Sequence, residues 1–307
     1  MSRPLSPLIT GILFAVLWAS ASVAGKFGLF SVEPLVLFNL RFFGAGLVLL
    51  IYVYGVQRER LPRDREWGQL SMFGALNTTL YLGLFVLALN EVTPGITTLA
   101  VALNPLFISV FSAVWSKRKV VLREWIGIVL GIGGVFVAAY PHLETNYASI
   151  AGLVLLGLSQ VTYSAGAVYY ADVNWRLSRT SINAWQVFIG GLLMLPVTFL
   201  MHEKENTFDL RFFLSLIWLI LPVSVVAVQL WLRLLKADAV RASMWLYLCP
   251  VFGFFYASVL VGEPLTVNTF VGTAFVLIAL YVGQNKPGPA EKADLFHDRP
   301  KTGDELR

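Results

Sequence analysis

The stretch PLVLFNLRFFGAGLVLLIYVY, residues 34–54, carries one charged side chain, Arg41, in the middle of an otherwise mostly apolar run. An arginine keeps its proton inside a protein. Placing one at the centre of a membrane helix costs at least about 2.5–3.5 kcal/mol on insertion scales. We therefore expect an interior that offsets this charge, through either a substrate anion or a structural partner.

The composition of the whole chain agrees with a membrane location for this stretch. Hydrophobic residues make up 57% and charged residues 13% of the 307 residues, whereas soluble chains are typically about 45–50% apolar and about 25% charged. The net charge of +5 comes from basic residues in short connections, which indicates membrane topology and no nucleic-acid partner. The single cysteine, Cys249, cannot form an internal disulfide.

A membrane span needs about 20 predominantly apolar residues, and ten such runs predict an all-α polytopic membrane protein with ten transmembrane helices. The runs cover residues 7–29, 33–55, 67–89, 93–115, 121–140, 149–171, 181–201, 212–234, 239–261 and 265–283. Short connections leave no room for a soluble domain. The polar, proline-containing tail, residues 285–307, is predicted to be a disordered cytoplasmic tail.

Lysine and arginine in the connections predict the orientation. Connections that would share a side with the N-terminus carry most of the basic residues: Arg58, Arg60, Arg63, Arg65, Lys117, Arg118, Lys119, Arg123, Arg176, Arg179, Arg233, Lys236 and Arg241. The opposite connections carry only Lys204 and Arg211. Because short cytoplasmic loops are enriched in Lys and Arg, both termini are expected in the cytoplasm, with a bacterial inner membrane as the expected location.

Weak internal similarity divides the chain into two units, residues 1–145 and 146–284. Shifts of 141 to 146 residues pair Asn104-Pro105 with Cys249-Pro250, Gly127 with Gly272, Thr98 with Ser243, Gly11 with Gly152, and Gly44 with Gly190. Five spans in each unit make the second unit enter the membrane from the opposite side. Inverted repeats of this kind recur in secondary transporters, with duplication without transport as the alternative.

Several stretches in order along the chain resemble EamA-type proteins of the drug/metabolite transporter superfamily. They are Leu17-WASASVAGK-Phe27, Arg41-Phe42, Thr93-Pro94-Gly95, Asn104-Pro105, and Gly262-Glu263-Pro264-Leu265-Thr266 before Gly272. The resemblance covers about residues 8 to 284. It implies two bundles of five helices, a central cavity lined by spans 1, 3, 4, 6, 8 and 9, and export or exchange of small metabolites.

Polar and aromatic side chains inside the spans are the candidates for substrate binding: Arg41, Asn77, Tyr81, Thr98, Asn104, Gln160, Tyr163, Trp245 and Tyr247. Asn77 and Tyr81 are four residues apart and share a helix face, as do Gln160, Tyr163 and Ser164. Such groups fit a site with aromatic walls and few hydrogen-bonding groups. Hydrogen bonds that merely join helices are the alternative for each of them.

Three further residues are candidates for gating. Pro105 and Pro250 occupy matched places in the two units, and each removes a backbone hydrogen bond within its span. The freed carbonyls can line a cavity or allow a bend. Lys26 lies near the outer end of the first span, where its stem can instead extend to the membrane surface.

Carboxylates and histidines are absent from the middle of every predicted span. Arg41 in such an interior would repel a cation, which favours a neutral, zwitterionic or anionic substrate such as an amino acid or organic acid. Two alternatives are a proton-coupled exporter of lipophilic drugs and a non-saturable channel. An enzyme is not expected, since no span holds a base beside a nucleophile, and no metal ligands or cofactor motif appear. The sequence leaves open whether the protein is a monomer or a homodimer.

Overall fold

The computed structural model describes residues 6–88, 91, 100–140, 149–203, 205–261 and 266–284. These residues form helices and no β-strand. The helices, including their π-helical and 3-10 continuations, are α1 (Pro7–Leu29), α2 (Pro34–Val56), α3 (Arg65–Ala88), α4 (Asn104–Val114), α5 (Leu122–Ala139), α6 (Ile150–Asp172), α7 (Arg179–Leu200), α8 (Leu210–Ala237), α9 (Ala239–Met244, Trp245–Tyr247 and Leu248–Val261) and α10 (Val267–Gln284).

Six of the described helices, α1 to α3 and α6 to α8, are long and apolar enough to cross a membrane, and α4 and α10 are shorter apolar helices. A helix suits the hydrocarbon because it pairs its own backbone polar groups. The predicted class, an all-α multi-pass membrane protein, is confirmed at this level. The tail 285–307 lies outside the described residues.

Capping side chains explain where two helices begin earlier than the apolar pattern indicates. Ser178 Oγ accepts a hydrogen bond from Ser181 N at 3.1 Å, so α7 starts before residue 181. Asp209 Oδ1 accepts one from Phe212 N at 2.9 Å, so α8 starts before residue 212. Each cap satisfies a backbone donor that the first helical turn leaves free.

Three helices depart from regular α-helical geometry over short π-helical segments: Tyr52–Val56 in α2, Ala75–Leu80 in α3 and Leu219–Ala227 in α8. Pro222 lies inside the α8 segment, where its missing N–H already interrupts the α-helical hydrogen bonds. A π-helical turn widens the helix and rotates the side chains that follow, and such segments are frequent at functional sites.

Helices α5 and α10 pack closely through glycines. A Cβ atom at Gly134 would lie 2.8 Å from Gly272 O, and a Cβ at Gly127 would lie 3.0 Å from Ala279 O. The two backbones therefore touch, as small residues permit in membrane helix pairs. Elsewhere α2 packs on α7, α3 on α6, and α1 on both α8 and α9.

The basic connections lie together on one face of the bundle. Arg118 Nη2 lies 2.8 Å from Asp238 Oδ2, joining the α4–α5 and α8–α9 connections, and Lys236 Nζ donates to Val173 O at 2.8 Å. The α2–α3 and α6–α7 connections border a shared cleft. Burial lowers the pKa of Arg118, but its hydrogen bond to Glu124 and the charge of Asp238 outweigh burial and raise that pKa above its usual value.

The other connections meet at the opposite face. Ser31 Oγ donates to Asp209 Oδ1 at 2.7 Å, and Glu33 N donates to Asn206 Oδ1 at 2.7 Å, so the α1–α2 and α7–α8 connections touch. Where the chain enters α6, Ser149 N donates to the carbonyl oxygen of Glu91, which follows α3. The connections that the structure describes in full or in part thus alternate between two faces, as expected for helices that run back and forth.

Candidate functional site

Four aromatic rings from four helices contact one another in a row in the core, called the central stack below, in which Tyr81 is tilted against Tyr163. Phe14 of α1 stacks on Trp231 of α8 with ring centroids 4.9 Å apart. Tyr163 of α6 stacks on the Trp231 ring system at 6.0 Å, and Tyr81 of α3 lies 4.6 Å from Tyr163. All four side chains are buried. The stack therefore brings helices from both halves of the chain to one place.

Polar atoms beside this stack are buried without a partner among the described residues. They are Tyr163 Oη, Trp231 Nε1 and Gln160 Oε1. The amide nitrogen of Gln160 donates to Ser159 Oγ at 3.0 Å, which leaves its oxygen free. A buried polar group left unpaired costs about 1–3 kcal/mol, so one donor, one acceptor and one hydroxyl are left unsatisfied beside the rings.

Arg41 is buried between α2 and α8, with 5% of its surface exposed. Its Nε donates to Ser224 Oγ at 2.8 Å. Its guanidinium carbon lies 5.5 Å from the ring centre of Phe38 and 5.7 Å from that of Phe42. Aromatic faces attract such a cation. Among the described residues, no salt bridge to a carboxylate offsets the charge of Arg41.

Asn77 lies to one side of the stack, against α7. Its Nδ2 donates to Gln186 Oε1 at 3.2 Å, and Thr78 Oγ1 donates to the same oxygen at 2.8 Å. Gln186 in turn donates to Asn183 Oδ1 at 3.1 Å. Asn77 is therefore part of a hydrogen-bonded connection between α3 and α7, whereas Tyr81, one turn later, enters the stack.

Asn104 lies closer to the centre. Its Oδ1 accepts a hydrogen bond from Ser164 Oγ at 3.2 Å, and both side chains are buried. Ser164 follows Tyr163 directly on α6, so this pair joins α4 to α6 next to the stack. Thr98, the other candidate from the same predicted span, lies outside the described residues.

Trp245 and Tyr247 fasten α9 to its neighbours. The Trp245 ring packs directly on the backbone at Gly11, where a Cβ atom would collide with it. Tyr247 Oη donates to Ile128 O at 3.0 Å, and its ring covers Gly131 of α5. These contacts join α9 to two different helices, α1 and α5.

Both candidate prolines follow an interruption of regular α-helix. Residues 102–103 form a turn just before α4, and Pro105 occupies the first turn of that helix. A proline in the first turn removes no intrahelical hydrogen bond. Pro105 therefore does not interrupt a helix in the way that the sequence analysis expected. In α9 the 3-10 turn Trp245–Tyr247 precedes the segment that holds Pro250. Lys26 is exposed in the last turn of α1.

The sequence analysis missed Phe14, Trp231 and Ser224. No signal in the sequence distinguishes Phe14 or Trp231 from other apolar residues of their spans, because only the rotation of each helix turns them inward. The sequence does hold a signal for Ser224. The shift of 145 residues that pairs the two prolines also pairs Thr79 with Ser224.

Long apolar helices around a buried aromatic and polar centre define a multi-pass helical membrane protein. The sequence profile of the EamA-like transporter family matches residues 5–140 and again 150–282. The chain belongs to the EamA-like transporter family, within the drug/metabolite transporter superfamily. This confirms the resemblance found in the sequence.

Relatives carry the same description. The chain is 24% identical to an uncharacterized transporter of Synechocystis over 87% of this chain and 86% of the relative. It is 25% identical to the uncharacterized inner membrane transporter YedA of Escherichia coli over 91% and 90%. A solved crystal structure superposes with a TM-score of 0.78 at 17% identity, covering 92% of this chain and 99% of the other, and supports the fold alone.

Proposed function

We propose that this transporter moves a small neutral, zwitterionic or anionic metabolite, such as an amino acid or organic acid, by alternating access. The direction is export or exchange. The observation that carries the proposal is the aromatic stack with three unpaired polar atoms beside it, from Tyr163, Trp231 and Gln160. An apolar site with a few convergent polar groups is the usual form of a small-molecule site.

The charges around the stack support this substrate class. Arg41 brings a permanent positive charge into the buried contact between α2 and α8. Carboxylates of the described residues lie at helix ends or in connections, as Glu66, Asp172 and Asp238 do. A cationic substrate would meet repulsion at this centre, whereas a carboxylate would gain a charge-assisted hydrogen bond, which is about twice as strong as a neutral one.

The ten-span, inverted-repeat fold is also a proposal, and three observations support it. The family profile matches the chain twice. The π-helical segments of α3 and α8 coincide at a shift of 145 residues. At that shift Arg41 pairs with Gln186 and Ser224 pairs with Thr79; Arg41 contacts Ser224, and Gln186 contacts Thr78, one residue from the matched position. Residues 1–145 and 146–284 would then be the two repeats.

The orientation follows from the face on which the basic connections meet. Because cytoplasmic loops are rich in Lys and Arg, that face is proposed to be cytoplasmic, together with both termini. The relative YedA is an inner membrane transporter, which supports the same membrane for this chain.

Counterflow in proteoliposomes tests the function. Vesicles preloaded with one amino acid or organic acid should take up the labelled compound, and uptake should saturate. Arg41→Gln, which copies the residue at the matched position, should keep a hydrogen bond to Ser224 and remove the charge. It should lower the transport of an anion at least about tenfold, since a hydrogen bond to a charged group contributes about 1.5–3 kcal/mol.

Several results would contradict the proposal. Flux that never saturates would indicate a channel, and proton-dependent uptake of a lipophilic cation would indicate a drug exporter. Unchanged transport in a folded Arg41→Gln variant would make Arg41 structural. Neutral substrates, which do not need the cation, serve as the internal control in the same vesicles.

A further inference from the structure

An open cleft of about 770 Å³ lies on the basic face, outside the transport centre. Its lining is polar and charged throughout: Arg60, Arg63, Asp64, Arg65, Glu66, Gln69, Asn174 and Arg176. The residues come from the α2–α3 connection, the start of α3 and the α6–α7 connection. Four arginines face two carboxylates, so the lining carries a net positive charge.

One of those carboxylates is already neutralised. Glu66 forms a bidentate pair with Arg60, with N–O distances of 2.5 and 2.6 Å, and also accepts a hydrogen bond from Arg63 N at 2.8 Å. Glu66 is buried, and it fixes the connection that presents the other arginines. The cation Arg60 is therefore used for structure.

The remaining guanidinium groups are available. Among the described residues, no hydrogen bond or ion pair engages the side chains of Arg63, Arg65 and Arg176. All three are exposed at the cleft. The planar guanidinium fork matches the oxygens of a phosphate group and can bind two of them at once.

Aromatic side chains beside the cleft indicate where the cleft lies relative to the membrane surface. Trp185 Nε1 donates to Tyr54 Oη at 2.7 Å, and the rings of Trp67 and Trp185 meet edge to face at 4.7 Å. Trp67 directly follows Glu66 of the cleft. Trp and Tyr collect at the level of the lipid headgroups, so the cleft opens where the phosphates of the bilayer lie.

We propose that this cleft binds a phosphate group, supplied by the headgroup of an anionic phospholipid, through Arg63, Arg65 and Arg176. Basic pockets between helices on the cytoplasmic side bind such headgroups, and each Lys or Arg near the surface adds to the attraction. The site is separate from the transport centre and does not depend on the proposed substrate.

Native mass spectrometry of the full-length protein tests the proposal, with phosphatidylglycerol and zwitterionic phosphatidylcholine as the probes. The wild type should retain phosphatidylglycerol in preference. Arg63→Gln with Arg176→Gln should weaken that binding about tenfold or more, given two lost charges. Lys117→Gln with Arg123→Gln removes the same charge from the neighbouring α4–α5 connection and should leave binding unchanged.

Equal retention of both lipids, or equal loss in the two double variants, would overturn the site. A titration with inorganic phosphate separates the sources. Displacement of the lipid only at phosphate concentrations far above the lipid supports the headgroup, whereas tight binding of free phosphate without lipid overturns the headgroup as the source. Arg63→Lys should bind with intermediate affinity, because it keeps the charge and loses the fork.

Discussion

Arg41 is accommodated in an apolar helix by several weak, neutral partners. Ser224 accepts its Nε hydrogen bond, and the rings of Phe38 and Phe42 lie beside the guanidinium. None of these partners is charged, so the positive charge of the guanidinium is not neutralised. The side chains of the candidate site differ in their hydrogen bonding: some have partners within the protein, and some are left unpaired.

Tyr163 and Tyr247 allow an unpaired hydroxyl to be compared with a hydrogen-bonded one. Tyr163→Phe removes a buried hydroxyl that has no partner among the described residues, so the free energy of unfolding should stay level or rise by about 1 kcal/mol. The KM of counterflow should rise about five- to tenfold if that hydroxyl binds substrate, since one hydrogen bond contributes about 1 kcal/mol. Thermal unfolding and counterflow kinetics measure both.

Tyr247→Phe is the matched control, because its hydroxyl donates to Ile128 O. This variant should lose about 1 kcal/mol of stability and keep its KM. Equal behaviour of the two variants would remove Tyr163 from the substrate site.

At the scale of elements, the rotation of a helix decides which of its residues reach the centre. Apart from the span 93–115, for which α4 begins only at Asn104, the predicted spans locate the described helices to within a few residues. Tyr81, Gln160 and Tyr163 lie in or beside the stack, as a shared-face argument anticipates. Asn77 lies within the π-helical segment Ala75–Leu80, and its side chain hydrogen-bonds Gln186 of α7. Such a segment has no mark in the sequence.

The α5–α10 pair gives a prediction for elements. Gly134→Ala places a Cβ 2.8 Å from Gly272 O and 2.9 Å from Phe275 Cβ, and backbone atoms cannot yield easily. Such overpacking should lower the free energy of unfolding by about 1–3 kcal/mol. Gly133→Ala, one residue earlier, meets nothing within 4 Å, and should be neutral or stabilising by up to about 1 kcal/mol.

Unfolding monitored by tryptophan fluorescence in detergent compares the two variants. Equal losses would mean that the helix itself, and not the contact with α10, is sensitive at this position.

At the scale of the whole molecule, the alternation of connections between two faces is the feature to test. In a Cys249→Ser background, Gln57→Cys marks the α2–α3 connection and Thr207→Cys marks the α7–α8 connection. The proposed inverted repeats place these two connections on opposite sides of the membrane, so a membrane-impermeant maleimide should label Thr207→Cys in intact cells. It should label Gln57→Cys only after permeabilisation.

The Cys249→Ser parent should remain unlabelled in both conditions. Labelling of both cysteines from the same side would exclude inverted repeats with this arrangement.

The all-α membrane class, the order of the helices and the basic face could be predicted from the sequence, because they depend on composition and on short-range patterns. Trp231 and Phe14 could not be predicted, since their neighbours in space are distant along the chain. The basic cleft was equally hidden, although each of its arginines was counted for topology, because only the fold brings Arg63 and Arg176 to the same opening.

The central stack draws two rings, Phe14 and Tyr81, from the first half of the chain and two, Tyr163 and Trp231, from the second. A ribosome makes these halves in order. The proposed transport site would therefore be complete only after α8 has left the ribosome, and a chain that stops earlier would hold an anchored but incomplete site. Two separately synthesised halves would form the same site only if they associated in the same bilayer.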